Sequence, residues 1–252
     1  LGQAVEQHPN VEVFTVGSAV DLILRGYHTT NSHDIYQSPE CLGAYILLND
    51  EPRVVPAIAR ETILATGGLG QVILHTTNPK RARGDGVAMA YRAGARVINL
   101  EYVQFHPTSF YHRIAPRFLI SESLRGEGAV LLNSEGVPFM KNYDGRGDLA
   151  PRDVVARAIH EEMLQNGNSC VFLDISHKDS EWTRNRFPLI YQYLMEWDVD
   201  LTSEPIPVVP AAHYSCGGVA SDDVAQTNIP RLRVVGEVAC TGLHGANRLT
   251  ST

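Results

Sequence analysis

The chain has 252 residues, of which 44% are hydrophobic and 19% charged, with 21 basic and 28 acidic side chains and a net charge of −7. That composition can bury a core and excludes disordered, collagenous and low-complexity architectures. The acidic balance argues against a nucleic-acid surface. No apolar run approaches the ~18 residues that would suggest a membrane span.

In chain order, residues 1–10 lack the charged-then-apolar layout of a signal peptide. Residues 11–16 alternate apolar and polar, which predicts a strand. The short apolar runs at 44–48 and 62–66 predict two more. Residues 31–40 are polar and read as a loop. Residues 84–94, bounded by glycines, predict a helix with Val87, Ala88, Met89, Ala90 and Ala93 apolar. Pro107 and Pro116 interrupt the next stretch, and residues 133–147 are rich in Gly, Asn and Asp, hence loop or turn.

A helix over 151–165 follows, opened by a proline in its first turn. Val154, Val155, Ala158, Ile159 and Met163 form one apolar face. Residues 170–174 predict a strand, and 181–197 a helix interrupted at Pro188. Pro205, Pro207 and Pro210 read as an extended linker. Strand and turn character returns at Val219 and at 232–235. This order suggests one sheet domain built from both ends of the chain, with a second domain inserted between them.

Four cysteines at 41, 170, 216 and 240 form no C-x-x-C pair, and no N-x-[ST] sequon is present. These features suggest reduced thiols and a cytoplasmic address, with neither a disulfide framework nor a metal site. The generic motifs fail. Gly68-Leu69-Gly70, Gly84-Asp85-Gly86 and Gly126-Glu127-Gly128 each lack the third glycine of a dinucleotide fingerprint. There is no P-loop, no H-E-x-x-H and no G-x-S-x-G.

Five other segments carry chemistry together. They are Gln-Phe-His-Pro-Thr at 104–108, Ser-Glu-Ser-Leu-Arg-Gly-Glu-Gly at 121–128, Pro-Arg-Asp at 151–153, Ala-His-Tyr-Ser-Cys-Gly-Gly at 212–218, and His-Gly-Ala-Asn-Arg-Leu at 244–249. Each sets a His, Arg or Glu beside Pro or Gly. His106, His213, Arg152 and Arg248 converging would suit a dicarboxylate, because Arg binds a carboxylate bidentately and His adds donors. Taken singly, each has a plainer reading: a first-turn helix arginine paired with Asp153, a histidine satisfying a turn, a strand histidine bonded in the core.

In this order the segments resemble the flavoprotein family of fumarate reductase, succinate dehydrogenase and L-aspartate oxidase, over nearly the whole chain. Ala-Thr-Gly-Gly at 65–68 and Gly-Asp-Gly at 84–86 are similar to the family's internal FAD-contacting segments. The segments at 172–178, 208–218 and 236–248 are most similar to the L-aspartate oxidases. The resemblance implies α/β and α+β architecture: a partial, Rossmann-like FAD-binding domain over 1–104 and 216–252, and an inserted capping domain over 105–215. It also implies the central part of a longer enzyme, without the N-terminal FAD fingerprint or the C-terminal helical domain.

As to roles, the resemblance implies that Arg152 shuttles a proton at the substrate, relayed through Glu122 and Arg125. His106, Ser121, His213 and Arg248 would hold substrate carboxylates, with Ser121 standing where the family has threonine. Ser18, Ala19, Thr66, Gly67, Asp85, Glu237 and His244 would contact FAD. Other histidines, such as His28, His33 and His75, read as surface or structural. The implied reaction is oxidation of L-aspartate to iminoaspartate, with reduced FAD reoxidised by oxygen or fumarate. It is the first step towards quinolinate and NAD, with handover to quinolinate synthase a possible partnership and neither nucleic acid nor membrane involved. The alternatives are a fumarate reductase or succinate dehydrogenase flavoprotein subunit, or a non-catalytic fragment.

Overall fold

The computed structural model describes residues 2–27 and 29–248; His28 and Leu249 fall outside them. The chain begins with α1 (Gly2–Glu6), β1 (Gly17–Leu24), β2 (Cys41–Leu48), β3 (Val54–Ile58) and β4 (Thr62–Leu64). Next come α2 (Asp85–Arg92), β5 (Val97–Ile98), β6 (Val103–Phe110), α3 (Ser123–Gly126) and β7 (Val130–Leu132). Then follow α4 (Arg152–Asn166), β8 (Val171–Asp174), α5 (Ser180–Arg186), α6 (Pro188–Met195) and β9 (Ile206–Ser215). The last elements are β10 (Gly218–Ala220), β11 (Leu232–Val234) and β12 (Ala239–Cys240).

These elements form two compact units. The first comprises residues 1–67, 85–99 and 217–243; the second comprises 68–84, 100–216 and 244–252. The expected inserted stretch ran from 105 to 215, whereas the second unit also takes in 68–84 and 244–252. Hydrogen bonds explain both additions. Ala212 N donates to His75 O at 2.8 Å and Thr77 N to Ala212 O at 3.0 Å, which adds residues 75–77 to the edge of β9. Gln104 holds the segment around Arg248 in the same way, as described below.

In the first unit, β1, β2 and β3 form an antiparallel sheet, β4 and β11 a parallel pair, and β10 lies between β5 and β12. Leu22, Leu64, Val87, Met89, Ala90, Val219, Leu232 and Val234 share its buried core. In the second unit the sheet order is β6-β9-β8-β7, with all neighbours antiparallel. Phe110, Leu131, Phe139, Ile159, Leu173, Leu194 and Leu201 fill its core.

α4 starts after Pro151, which has the extended backbone of a cap residue and lacks the N–H that a first turn leaves unused. Gly167, at φ +64°, ends the helix in the left-handed region, and Asn168 N reaches back to Met163 O at 3.0 Å. Asp179 caps α5 by accepting from Trp182 N at 2.8 Å, and Pro188 opens α6.

Two expectations are corrected. Residues 11–16 form no strand and are largely exposed; the edge strand is β1, which begins at Gly17. Alternation there marks no buried face, because no partner strand covers it. Residues 205–210 are no linker, since from Ile206 they belong to the central strand β9. Pro207 still serves the sheet through its carbonyl, which accepts from Tyr111 N at 2.8 Å. Pro210 stands opposite an irregularity in the β6–β9 ladder, where its missing N–H costs least. Pro107 likewise lies inside β6 at that irregularity.

Gly43, in the middle of the three-stranded sheet, has φ +141°, and a Cβ there would lie 1.9 Å from Ala57 O. Gly43→Ala is therefore expected to destabilise the chain by roughly 1–3 kcal/mol. The check is the midpoint of urea unfolding, read against Gly2→Ala, a position with open space around it.

Candidate active site

β6 and β9 build the floor of the site. In their ladder Gln104 pairs with Tyr214, Phe105 with Ala212 and His106 with Ala211. His213 is thus the extra residue of a bulge, and a second irregularity separates His106 from Ser109. Bulges twist a strand and re-aim its side chains. The two imidazoles meet with ring centroids 5.7 Å apart, edge to face at 65°.

His106 is only 2% exposed. Its Nδ1 lies 3.3 Å from Thr108 N and 3.2 Å from Thr108 O. Burial, then the neighbouring His213 and Arg152, push its pKa down to about 3, so the ring is neutral near pH 7. His213 Nδ1 lies 3.0 Å from Thr77 Oγ1. Burial and the charges of Arg152 and Arg248 lower its pKa as well.

Thr108 also fixes the neighbouring segment. Its Oγ1 donates to Ile120 O at 2.9 Å, and Ile120 N donates to Thr108 O at 3.0 Å. This carries Ser121 and Glu122 up to His106. Ser121 Oγ accepts from Ser123 Oγ at 2.8 Å. Glu122 receives Arg152 in a bidentate pair, Nε to Oε1 at 2.6 Å and Nη2 to Oε2 at 2.8 Å. Arg125 Nη2 joins Oε1 at 3.3 Å, and its Nη1 donates to Asp148 O at 2.6 Å. The Arg152 hydrogen bond outweighs burial and holds the Glu122 carboxyl below its ordinary range. Burial lowers the pKa of Arg125, which is 4% exposed.

Arg248 approaches from residues 244–248. Its Cζ lies 4.3 Å from the centroid of the Tyr214 ring. Tyr214 Oη lies 3.3 Å from His244 Nε2. Gln104 Nε2 donates at 2.5 Å to both Asn247 Oδ1 and Arg248 O. All seven residues expected to act on the substrate lie in the second unit, where His106, Glu122, Arg125, Arg152, His213 and Arg248 act electrostatically on one another. His244, expected at the flavin, lies in that unit too, against Tyr214.

The other expected FAD contacts lie in the first unit. Thr66 and Gly67 follow β4, and Gly236 and Glu237 follow β11. Because β4 and β11 are parallel, both segments leave the same end of the pair, the carboxyl end, where α/β sheets bind ligands. Gly67 and Gly236 have φ +75° and +72°, with open space where a side chain would sit. Asp85 opens α2, and a Cβ on Gly86 would lie 1.9 Å from Thr66 Oγ1, so Thr66 packs against that helix start. A carboxyl-end glycine cradle beside a helix N-terminus fits a dinucleotide. Ser18 and Ala19 lie in the β1-β2-β3 sheet, on β1, with Ser18 Oγ donating to Asn49 Oδ1 at 3.4 Å. Among the described residues, no group of three or more His, Cys, Asp or Glu could hold a metal ion.

Thr77, Thr108, Gln104 and Tyr214 were not singled out from the sequence. A glutamine between Val103 and Phe105, polar among apolar neighbours, was one available signal; Thr77 left none, because it is 136 residues from His213.

The FAD binding domain family model matches residues 1–252. The chain belongs to that family. Among curated relatives, this FAD binding domain is 50% identical to an L-aspartate oxidase of Pseudomonas aeruginosa, covering all of this chain and 45% of that protein. It is 45% identical to the chloroplastic L-aspartate oxidase 2-a of Nicotiana tabacum, with 39% of that protein covered. The chain therefore spans less than half the length of these relatives. Among solved structures it resembles a mutant FrdA of E. coli quinol fumarate reductase, with a TM-score of 0.84 at 30% identity, covering 98% of this chain and 43% of that one. It also resembles Mycobacterium smegmatis Sdh1 in complex with UQ1, with a TM-score of 0.76 at 35% identity, covering 95% and 39%.

The neutral buried histidine has a consequence for stability. Its pKa is lower folded than unfolded, so the unfolded chain binds the extra proton. Stability is complete above about pH 6.5 and falls as the pH drops from there towards about 3. The slope contributed by His106 is up to about 1.4 kcal/mol per pH unit. Between pH 6.5 and 5.5, above the range in which unfolded carboxylates take up protons, His106→Gln should flatten that slope. Unfolding midpoints across this range check it.

Proposed function

We propose that this chain carries the dicarboxylate site of an FAD-dependent L-aspartate oxidase, which converts L-aspartate to iminoaspartate. The observation that carries the reading is the different use of two arginines in one cluster. Arg152 has its fork filled by Glu122, and Glu122 touches Arg125 in turn. Arg248 is paired with no carboxylate among the described residues, and its buried Nε has no hydrogen-bond partner. The first arrangement suits proton movement; the second suits capture of a substrate carboxylate. Relatives named L-aspartate oxidase at 50% identity support the choice of substrate.

When bound, FAD supplies the two-electron acceptor for the hydride lost from the substrate α carbon. Thr66, Gly67, Asp85 and Glu237 are the residues that would hold it, together with the backbone near Ser18 and Ala19. The chain's own groups do the rest. Arg248 and His213 bind carboxylate oxygens, with Ser121 as a further donor. When Thr108 N donates to His106 Nδ1, the neutral ring carries its proton on Nε2 and donates there without bringing a second charge. Arg152 takes the proton leaving the substrate as it cedes its own Nε proton to Glu122 Oε1, 2.6 Å away. Arg152 thus stays cationic throughout, and Glu122, 38% exposed, passes the proton to solvent while Arg125 Nη2, 3.3 Å from Oε1, holds the carboxylate in place. Oxygen or fumarate would serve as the terminal electron acceptor, and iminoaspartate would pass towards quinolinate synthase. We place the enzyme in the cytoplasm; the four cysteines are free, and no helix among the described residues is long and apolar enough to cross a membrane.

A second reading, interconversion of succinate and fumarate, is favoured by the TM-score of 0.84 to the fumarate reductase chain. Steady-state kinetics with aspartate and with succinate separate the two. In the active enzyme Arg152→Lys should lower kcat about 100-fold or more with little change in KM, because it loses a proton-transfer geometry. Arg248→Lys should instead raise KM about tenfold, because a bidentate contact becomes a point charge. An unchanged kcat in the Arg152 variant would leave Arg152 a binding residue only.

A further inference from the structure

We infer that Tyr214 is a positioning residue for Arg248: its ring seats the guanidinium. The inference deepens the reading above and rests on Arg248 being a carboxylate clamp.

The geometry supports it from both strands of the β6–β9 ladder. Tyr214 and Gln104 are cross-strand partners. Gln104 holds the backbone of Arg248 through its carbonyl, and the Tyr214 ring lies 4.3 Å from Arg248 Cζ. One cross-strand pair therefore fixes both ends of a long side chain that otherwise has many rotamers. Tyr214 is itself held, by the hydroxyl contact with His244 Nε2 at 3.3 Å and by an edge-to-face ring contact at 5.1 Å.

The chemistry of the contact matters more than its strength. A carboxylate would also immobilise Arg248, but it would fill the fork and neutralise the charge, as Glu122 does to Arg152. An aromatic face attracts the cation through its quadrupole and leaves the N–H donors free. Arg248 Nε, buried without a partner, is such a donor. A clamp that must be ordered before the ligand arrives, yet keep its donors, calls for this kind of partner.

The test uses the full chain, with succinate as the probe in calorimetric titrations. Tyr214→Phe keeps the ring and should hold succinate affinity within about twofold of wild type, whereas Tyr214→Leu should weaken it about tenfold. In parallel, the Nε–H resonance of Arg248, identified by its loss in Arg248→Lys, reports the ring current of Tyr214. It should keep its shift in the Phe variant and lose it in the Leu variant. Tyr214→Met repeats the comparison should the leucine variant fail to fold. Wild-type affinity together with an unmoved resonance in the Leu or Met variant overturns the inference. If the wild type binds no succinate, the clamp reading fails and the positioning role falls with it. A resonance that still moves would then assign the failure to the ligand and not to the ring contact.

Discussion

The β6–β9 ladder, with its two interruptions, is the constraint on which the site depends. In a regular antiparallel pair, side chains alternate strictly between faces, and successive residues never share one. His213, the residue without a ladder partner, and the irregularity after His106 break that rule on neighbouring strands. The two histidines meet as a result, while Tyr214 and Gln104 remain opposite one another to hold Arg248. The prolines at 107 and 210 fall where the ladder is interrupted, so the residues least able to serve a sheet stand where it needs them least.

The second constraint is charge. Arg125, Arg152 and Arg248 crowd two imidazoles, and Glu122 pairs with two of the three arginines. A protonated histidine in this company would add repulsion to the cost of burial, and the low pKa of His106 is the outcome. One carboxylate leaves two of the three positive charges uncompensated, one shared by Arg125 and Arg152 and the other on Arg248, which pairs with no carboxylate among the described residues. Arg125 anchors this arrangement by spanning Glu122 and the Asp148 carbonyl, and its Nε remains buried without a partner.

The secondary structure was legible wherever local rules decide it. α4, with Pro151 at its head and Gly167 at its end, is an example, and so are α2 and the break at Pro188. It was not legible where partners decide it. The alternating residues 11–16 remain outside any sheet, while the proline-rich 205–210 enter a central strand, because a strand exists only through its neighbours. The candidate site residues stand in short segments of unusual composition, and the candidate FAD segments of the first unit are marked by their glycines. Tyr214 and Gln104 were quoted within those segments, but nothing local marked them as the supports of Arg248.

From sequence alone came the class of fold, the kinship with flavoproteins and the residue types suited to a dicarboxylate, because these rest on composition, order and motif. Only the tertiary structure decided that residues 68–84 and 244–248 fold with the middle of the chain. It alone showed that Glu122 fills the fork of Arg152 and leaves that of Arg248 open. The physical reason is distance along the chain: Glu122 and Arg152 are 30 residues apart, Thr77 and His213 136 apart, and Gln104 and Arg248 144 apart. Hydrogen bonds across such separations are chosen by the packing of whole elements, which no local spacing encodes.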